Sequence, residues 1–481
     1  MKSLLWFRGD LRIHDNPALK DACIQSDEVH AVYIYSINQL EAHNDANVKI
    51  DFLIRNLFDL ERNLSLLNIP LTIIKSNGYS EDPELILKLA NKYSLKKVFW
   101  NSQFGENELV RDIKISKSLD KANIGYQHHH DQVIYNPGTL RTGQDTPYSV
   151  FTPFKRKWIE NFKIEFLDID FKYVKQKQTN IKSNIHDFNF NFTCKHQVNM
   201  ELWKEGESNA NELLHSFLKN KIVDYSKNRN DPILEGTSRI SPYLALGIIS
   251  PKKCILEALK VNNFEFTSGH QGITKWIDEI VWREFYRNIM FSFPKVSKGD
   301  PFQDYSKNIK WRFDEKQLLA WKDGMTGFPL IDAAMRQLKH EGWMHNRLRM
   351  VSGSFLVKHL RINWIEGEKY FKDSLLDYDT ANNVSGWQWI AGCGADAAPY
   401  FRIFNPMTQG EKFDPNGTFV KKWVPELNAL PKKFIHKPWE LPNEEACKVN
   451  FNLKRDYYEP IVNHVEARQA ALNAFEHTKN K

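Results

Sequence analysis

Up to residue 127 the chain alternates short apolar runs with longer stretches whose apolar residues recur at helical spacing. Residues 3–7, 29–35, 71–75 and 97–100, rich in Val, Ile, Tyr and Phe, predict strands. Residues 17–25, 48–67, 83–93 and 106–121 predict the helices between them. Units of this size imply an α/β domain with a parallel, doubly wound sheet covered by helices on both faces. No Gly-x-Gly-x-x-Gly follows the first strand and no phosphate-binding Lys loop occurs, so a conventional dinucleotide or nucleoside triphosphate site is not expected in this part. Residues 167–198 turn polar, heavy in Lys, Asn and Gln, and read as a linker wrapping the surface. After Glu201 the pattern is almost entirely helical. Ser241-Pro242 and Ser250-Pro251 each predict a capping hydroxyl before a Pro at the first helical position. Phe328 before Pro329 has no oxygen to cap with; Gly342 ends the run 330–341, and the next helix runs over 345–359. The expected organisation is an α/β domain over 1–130, a linker over 131–200 and an all-helical domain over 201–481.

A length of 481 residues fits this multi-domain reading. Hydrophobic content of 42% and charged content of 26% exclude wholesale disorder, a collagen-like repeat and a polytopic membrane protein. The net charge of +7 permits a polyanionic partner without demanding one. The 14 Trp exceed ordinary packing needs and suit stacking on planar ligands or bases. Cys23, Cys194, Cys254, Cys393 and Cys447 are far apart with no Cys-x-x-Cys, which fits free thiols in a reducing compartment. The amino terminus lacks a signal-peptide core and no run of 18 apolar residues occurs. A cytoplasmic protein that does not enter a membrane is expected. His128-His129-His130 are consecutive, cannot easily converge on one ion and have no partner at ligand spacing, so a solvated loop is expected and no metal site.

Three segments concentrate chemistry. Gly236–Pro242 gathers hydroxyls, a guanidinium and a helix start, which suits a phosphate or pyrophosphate but equally a capped turn. Trp276, Glu279, Trp282, Arg283, Tyr286 and Arg287 fall at spacings of three and four, one helical stripe. That stripe reads either as a surface for a planar, hydrogen-bonding ligand or as ion pairs above buried Trp anchors. Asn346, Arg349 and Met350 share a second face, where a Met is usually packing. Residues 377–389, from Asp377 to Trp389, form the densest polar–aromatic cluster, with two carboxylates able to face Arg349.

With these residues in view, the chain resembles the photolyase/cryptochrome family. Trp6-Phe7-Arg8-Gly9-Asp10-Leu11-Arg12-Ile13-His14-Asp15-Asn16-Pro17-Ala18-Leu19 is similar to its opening signature. Residues 235–241, Trp282-Arg283-Glu284-Phe285-Tyr286, 342–350, 383–389 and 396–406 match it in order, so the resemblance covers nearly the whole chain. Within the family it is most similar to bacterial class I photolyases of cyclobutane pyrimidine dimers.

The resemblance implies FAD, active in its reduced anionic form, inside the helical domain. Tyr225, Thr237, Ser238, Arg239, Ile240 and Ser241 would hold its phosphates and ribityl chain. Trp276, Arg283, Asn346, Arg349, Asp377, Tyr378, Asp379 and Asn383 would line the rest, with Arg349 paired to Asp377. Asn383, four residues before Trp387, would face flavin N5, where an amide adds no second negative charge; Asn382 is the alternative if the register shifts. Related cryptochromes carry Asp there. Val384-Ser385 departs from the family's Asn-Gly. Trp311, Trp364 and Trp387 match an electron relay to the surface, and three core Trp would read the same.

For DNA, a dimer must be flipped out to reach a buried flavin. By resemblance Glu279 bonds its base edges, Trp282 and Trp389 stack on it, and Tyr286, Asn346 and Met350 line its pocket. Arg229, Arg283, Arg347 and Gln409 would contact the surrounding strand. His43, Asn107, Glu108 and Lys298 match positions that hold a methenyltetrahydrofolate antenna, with Ser297 replacing a Cys of some relatives. The expected function is light-dependent repair of cyclobutane pyrimidine dimers by a monomeric carbon–carbon lyase acting on UV-damaged DNA. The alternatives are a blue-light receptor of cryptochrome type and a (6-4) photolyase. The latter carries paired His where Asn346 and Met350 stand.

Overall fold

The structure, a computed structural model, describes residues 1–169, 173–193 and 195–479. Parts of the expected linker and Cys194 lie outside the described residues. Five parallel strands, β1 (Lys2–Phe7), β2 (Glu28–Tyr35), β3 (Leu71–Lys75), β4 (Lys97–Asn101) and β5 (Gly125–His129), form one sheet in the order β3-β2-β1-β4-β5. Strand order reverses between β1 and β4, so a crevice opens beyond their carboxyl ends. The doubly wound expectation holds.

β5 corrects the reading of the His triplet. His128 and His129 belong to an edge strand, not to a solvated loop. Its polar composition hides it from a search for apolar runs, because an edge strand pairs on one side only. His128 instead stacks on Trp100, with ring centroids 5.7 Å apart.

Residues 131–200 are more than a tether. They include the helix Phe151–Glu160, and they close the open edge of β3. The Ser183 hydroxyl accepts from the Leu71 N–H (3.0 Å), and the Asn184 side chain brackets Ile73, accepting from its N–H (2.7 Å) and donating to its carbonyl (3.0 Å). An exposed row of strand donors and acceptors is thereby removed from solvent.

The helical part begins after this wrap, and its core is continuous with one face of the sheet: Phe52 meets Tyr243 edge-on at 5.5 Å. Ser250 caps its helix as expected, accepting from the Lys253 N–H at 2.9 Å. Ser241 does not. It is the first residue of the helix Ser241–Ala245, and its hydroxyl donates to Asp377 at 2.7 Å, because a buried carboxylate is the stronger acceptor. Phe328 supplies no cap, as expected, and Asp332 instead ties down the turn before the helix, accepting from the Thr326 and Gly327 N–H groups (2.7 and 3.1 Å). Gly342, at φ 62°, ends Pro329–Glu341. The next helix is α-helical only over Asn346–Ser354 and widens into a π-helical turn over Phe355–His359, so the expected single helix 345–359 is divided.

The helix Gln271–Ser292 holds the wrap in place from below. Buried Glu284 accepts from the Ile134 N–H (2.7 Å), the Tyr135 N–H (3.0 Å) and the Trp158 indole N–H (3.0 Å). Replacing Glu284 by Ala strands three buried donors, and a loss of about 3 kcal/mol or more of unfolding free energy is expected in denaturant titration. Glu284→Gln, which keeps one oxygen for two of them, is expected to lose less.

Candidate functional site

Two confluent lobes open in the helical part. One, of about 290 Å³, is rich in hydroxyls: Thr237, Ser238 and Ser241 line it with Tyr225, Arg239, Ile240 and Trp276. The other, of about 370 Å³, is aromatic: Trp282, Tyr286, Trp387 and Trp389 line it with Met350, Tyr378 and Asn383. Arg229, Glu279, Arg283, Asn346, Arg349, Asp377, Asp379 and Asn382 line both. The helical stripe on Gln271–Ser292 therefore faces a cavity, as do Asn346, Arg349 and Met350.

Most of the charges in this cavity are already engaged. Arg349 reaches both oxygens of Asp377 (3.0 and 2.8 Å) and donates through Nε to the Met344 carbonyl (2.8 Å). The Trp343 indole N–H donates to the Ser241 hydroxyl at 3.2 Å, extending the chain from Asp377. Asp379 pairs with Arg287 and caps Thr380–Ala391, accepting from the Asn382 N–H (3.0 Å) and its amide (2.8 Å). Burial works to raise the Asp379 carboxyl, but Arg287 and Arg283 outweigh it and hold the group below its ordinary value. Glu279 pairs with Arg229, whose guanidinium lies over the Tyr225 ring. The Asn383 amide donates to Glu368 at 3.1 Å, an acceptor it shares with the Tyr378 hydroxyl at 3.2 Å.

Arg283 is the exception. It donates to the Gln132 carbonyl (2.6 Å) and forms no direct ion pair among the described residues; burial, then neighbouring Arg287, pushes it down to about 9. A part-buried cation with no direct ion pair among the described residues, its charge only partly offset by Asp379 and Glu284, favours an anionic ligand. The Ser238 oxygen accepts from the Trp276 indole N–H (3.3 Å), which leaves its own hydrogen to donate. A cation, hydroxyl donors and an adjoining aromatic lobe with two amides fit the phosphates and flavin of FAD. Arg283 lines both lobes, so its placement is compatible with either of its expected roles.

Other expected residues lie apart. Trp364 is buried and Trp311 half-buried, and neither lines a lobe. The Trp387 ring meets Trp321 at 6.2 Å and Phe371 at 4.9 Å, while Trp311 meets Phe475 at 5.9 Å. Trp321 was not singled out, since nothing in its local sequence marks it. Arg229 is engaged by Glu279 rather than free for a strand. Arg347, over the Phe413 ring (4.6 Å) and bonded to Asn230 (2.7 Å), and Gln409 on the adjoining helix Pro406–Phe413 lie outside both lobes. Trp343, which lines the first lobe, Glu368 and Gln132 were also missed; Trp343 and Gln132 meet partners 102 and 151 residues away, and Glu368 meets Tyr378 and Asn383 at 10 and 15.

His43, Asn107, Glu108 and Lys298 meet in a third cavity of about 460 Å³. It includes Gly9 and Gln103 and so lies at the carboxyl ends of β1 and β4. Tyr79 donates to Glu108 (3.0 Å), Lys298 pairs with Glu106 (2.9 Å), and burial lowers His43 from its ordinary value. Asp379 lines this cavity as well as both lobes.

Comparison with known proteins agrees with this geometry. Residues 3–173 match the family model for DNA photolyase, and residues 276–477 match that for the FAD binding domain of DNA photolyase. The chain is 39% identical to the deoxyribodipyrimidine photo-lyase of Escherichia coli (strain K12), over 98% of each sequence. It is 37% identical to that of Buchnera aphidicola from Acyrthosiphon pisum, over 100% of this chain and 98% of the relative. A class III photolyase from Agrobacterium tumefaciens superposes with a TM-score of 0.91 at 34% identity, covering 100% of this chain and 98% of that one. A Synechocystis cryptochrome superposes at 0.86 with 26% identity, covering 98% and 99%.

His345 supports the site from behind: its Nδ1 accepts from the Arg347 N–H at 3.1 Å and caps Asn346–Ser354. Burial, with Arg347, Arg349, Arg229 and Arg239 nearby, pushes its imidazole from 6.5 down to about 4. Its contribution to stability is full above pH 6.5 and is lost as pH falls through about 4, because the unfolded chain takes the proton first. His345→Asn keeps a capping acceptor without titrating. Its unfolding free energy is expected to fall less between those pH values, by about 3 kcal/mol, in denaturant titrations.

Proposed function

The chain belongs to the DNA photolyase family, and on that premise we propose how its own residues repair cyclobutane pyrimidine dimers in DNA as a deoxyribodipyrimidine photo-lyase. The observation that carries the reading is the confluence of a hydroxyl- and arginine-lined lobe with an aromatic lobe that share Glu279, Asn346, Arg349 and Asn382. Held there, FAD supplies the light-excited electron that opens the cyclobutane ring and receives it back.

Thr237 and Ser238 would donate to the phosphates and Arg283 would neutralise them, while Ser241, its hydrogen given to Asp377, holds that carboxylate in place. Arg349, locked by Asp377, and Arg287, locked by Asp379, keep their charges oriented. Asn383 and its neighbour Asn382 offer amides toward the flavin ring, adding no negative charge beside an anion. The dimer leaves the duplex at reduced cost, since it already stacks poorly. Trp282, whose other face is covered by Phe151 at 3.7 Å, and Trp389 present rings to it. Glu279 accepts from the base edges, and its pairing with Arg229 keeps the carboxylate aimed. Asn346, Met350 and Tyr286 complete the wall, while Arg347 and Gln409, outside both lobes, would contact the surrounding strand.

The cavity at the switch point suits a second, light-harvesting chromophore, with methenyltetrahydrofolate as its occupant and Glu108 bonding the pterin edge. Residues 1–130 form its half, 131–200 the wrap and 201–481 the catalytic part. No helix among the described residues is long and apolar enough to cross a membrane, and a cytoplasmic monomer acting on DNA is the coherent setting. Cryptochrome-type signalling is less favoured: the structural match to a cryptochrome is 26% identical, against 39% for a named photo-lyase.

The direct test is illumination of the reduced protein with an oligonucleotide carrying a cyclobutane dimer, with a (6-4) lesion and darkness as controls. Repair of the first alone is expected. Glu279→Ala is expected to lower repair by about ten- to a hundredfold, the worth of one charge-assisted hydrogen bond, with FAD absorbance retained. If Trp311, Trp364 and Trp387 form the relay, Trp311→Phe slows photoreduction of the oxidised protein yet spares repair by pre-reduced protein. Equal photoreduction rates would refute that assignment.

A further inference from the structure

We propose that the surface around Trp311 is a docking site for an acidic one-electron carrier protein, which refills this tryptophan after it has passed an electron inward. The inference rests on the relay reading of Trp311 and adds to it where the electron comes from.

Trp311 is half-buried, with one edge of its ring against Phe475 of the helix His464–Lys479. Its chain neighbours Lys310 and Arg312 are exposed, and Phe313 is 73% exposed, a high value for so large an apolar side chain. The Arg312 N–H donates to the Arg361 carbonyl at 2.8 Å, which brings a second guanidinium to the same patch. Residue 361 holds this turn at φ 53°, a conformation uncommon for a side chain of its size. Neither guanidinium has a carboxylate partner among the described residues, and Arg361 is lowered from its ordinary value by partial burial and then by Arg312. Asp314 is occupied in capping Glu315–Asp323, so Glu315 is the one exposed carboxylate over 309–316, against Lys310, Arg312 and Lys316. Like charges held together unpaired cost stability, and the cost is relieved when an anionic surface covers them.

The shape favours a protein over a small anion. None of the cavities described above reaches Trp311, and small molecules bind in concavities. An open patch with an apolar centre and a cationic surround suits the small, electrostatically steered encounter typical of electron-transfer partners. The step moves one electron: the carrier's reduced flavin or iron–sulfur centre is oxidised by one, the tryptophan cation is returned to neutral tryptophan, and no bond forms or breaks.

The probe is a reduced acidic flavodoxin, added to the oxidised holoprotein at low salt. Decay of the tryptophan radical after a flash is expected to be accelerated by flavodoxin, and the Arg312→Glu/Arg361→Glu double variant to lose at least about tenfold of that acceleration, while decay with neutral dithiothreitol is unchanged. Titration calorimetry in the dark is expected to show flavodoxin binding to the parent protein and its loss in the variant. Equal flavodoxin rates and binding in parent and variant overturn the docking site while leaving the relay intact. If Trp311→Phe photoreduces as fast as the parent with dithiothreitol, the relay itself fails, and this proposal with it.

Discussion

A cavity lined with charge survives inside a helical core only when each ion is paired and its remaining donors and acceptors are used. Asp377 is where this protein meets that condition. Its carboxylate takes two contacts from Arg349 and one from the Ser241 hydroxyl, and Ser241 in turn accepts from Trp343. These residues come from three distant segments: the helix start at 241, the turn and helix at 343–349, and the polar cluster beginning at 377. Asp379, two residues on, repeats the arrangement with Arg287 and the amide of Asn382. The hydroxyls on one side of the cavity and the amides on the other are thereby held relative to one another. Arg283 forms no direct ion pair among the described residues and donates to the Gln132 carbonyl.

The same logic joins the two halves of the molecule. The motif from Arg8 to Asn16, the most recognisable stretch of the sequence, is built into this framework. Arg12 is buried against Asp131 and donates to the Gly247 carbonyl at 2.9 Å, and the buried Glu207 accepts from the His14 N–H at 3.2 Å. Gly247 itself, at φ 66°, lies so close to the Gly9 carbonyl that a Cβ could not be accommodated. The motif is a joint: its charges are spent fastening the sheet to the helices, and the crevice at the switch point is shaped as a consequence. Asp379, which lines that crevice and both lobes of the helical part, stands in the wall between them.

Much of this was legible in the chain itself. Four of the five strands, the helices between them, the polar wrap and the helical remainder follow from periodicity, which is local. The stripe on Gln271–Ser292 could be assigned to one face from spacing alone, although spacing could not say whether that face met a ligand or solvent. The errors share a cause. β5 was missed because an edge strand can be polar, and Ser241 was read as a cap because its competing partner, Asp377, lies 136 residues away.

Sequence alone thus determined which elements form, which residues share a face and which family's motifs recur, because helical and strand periods and turn chemistry act over a few residues. Tertiary structure decided which charges are spent and which remain available. Among the described residues, Arg229 and Glu279 neutralise one another, Arg283 has no direct ion pair, Trp321 rather than Trp364 touches the ring of Trp387, and Arg312 and Arg361 stand together without a carboxylate partner. Those outcomes depend on what a side chain meets far along the chain, 50 residues away for Arg229 and Glu279 and 151 for Arg283 and Gln132, and desolvation and Coulomb energy act on distance in space, not in sequence.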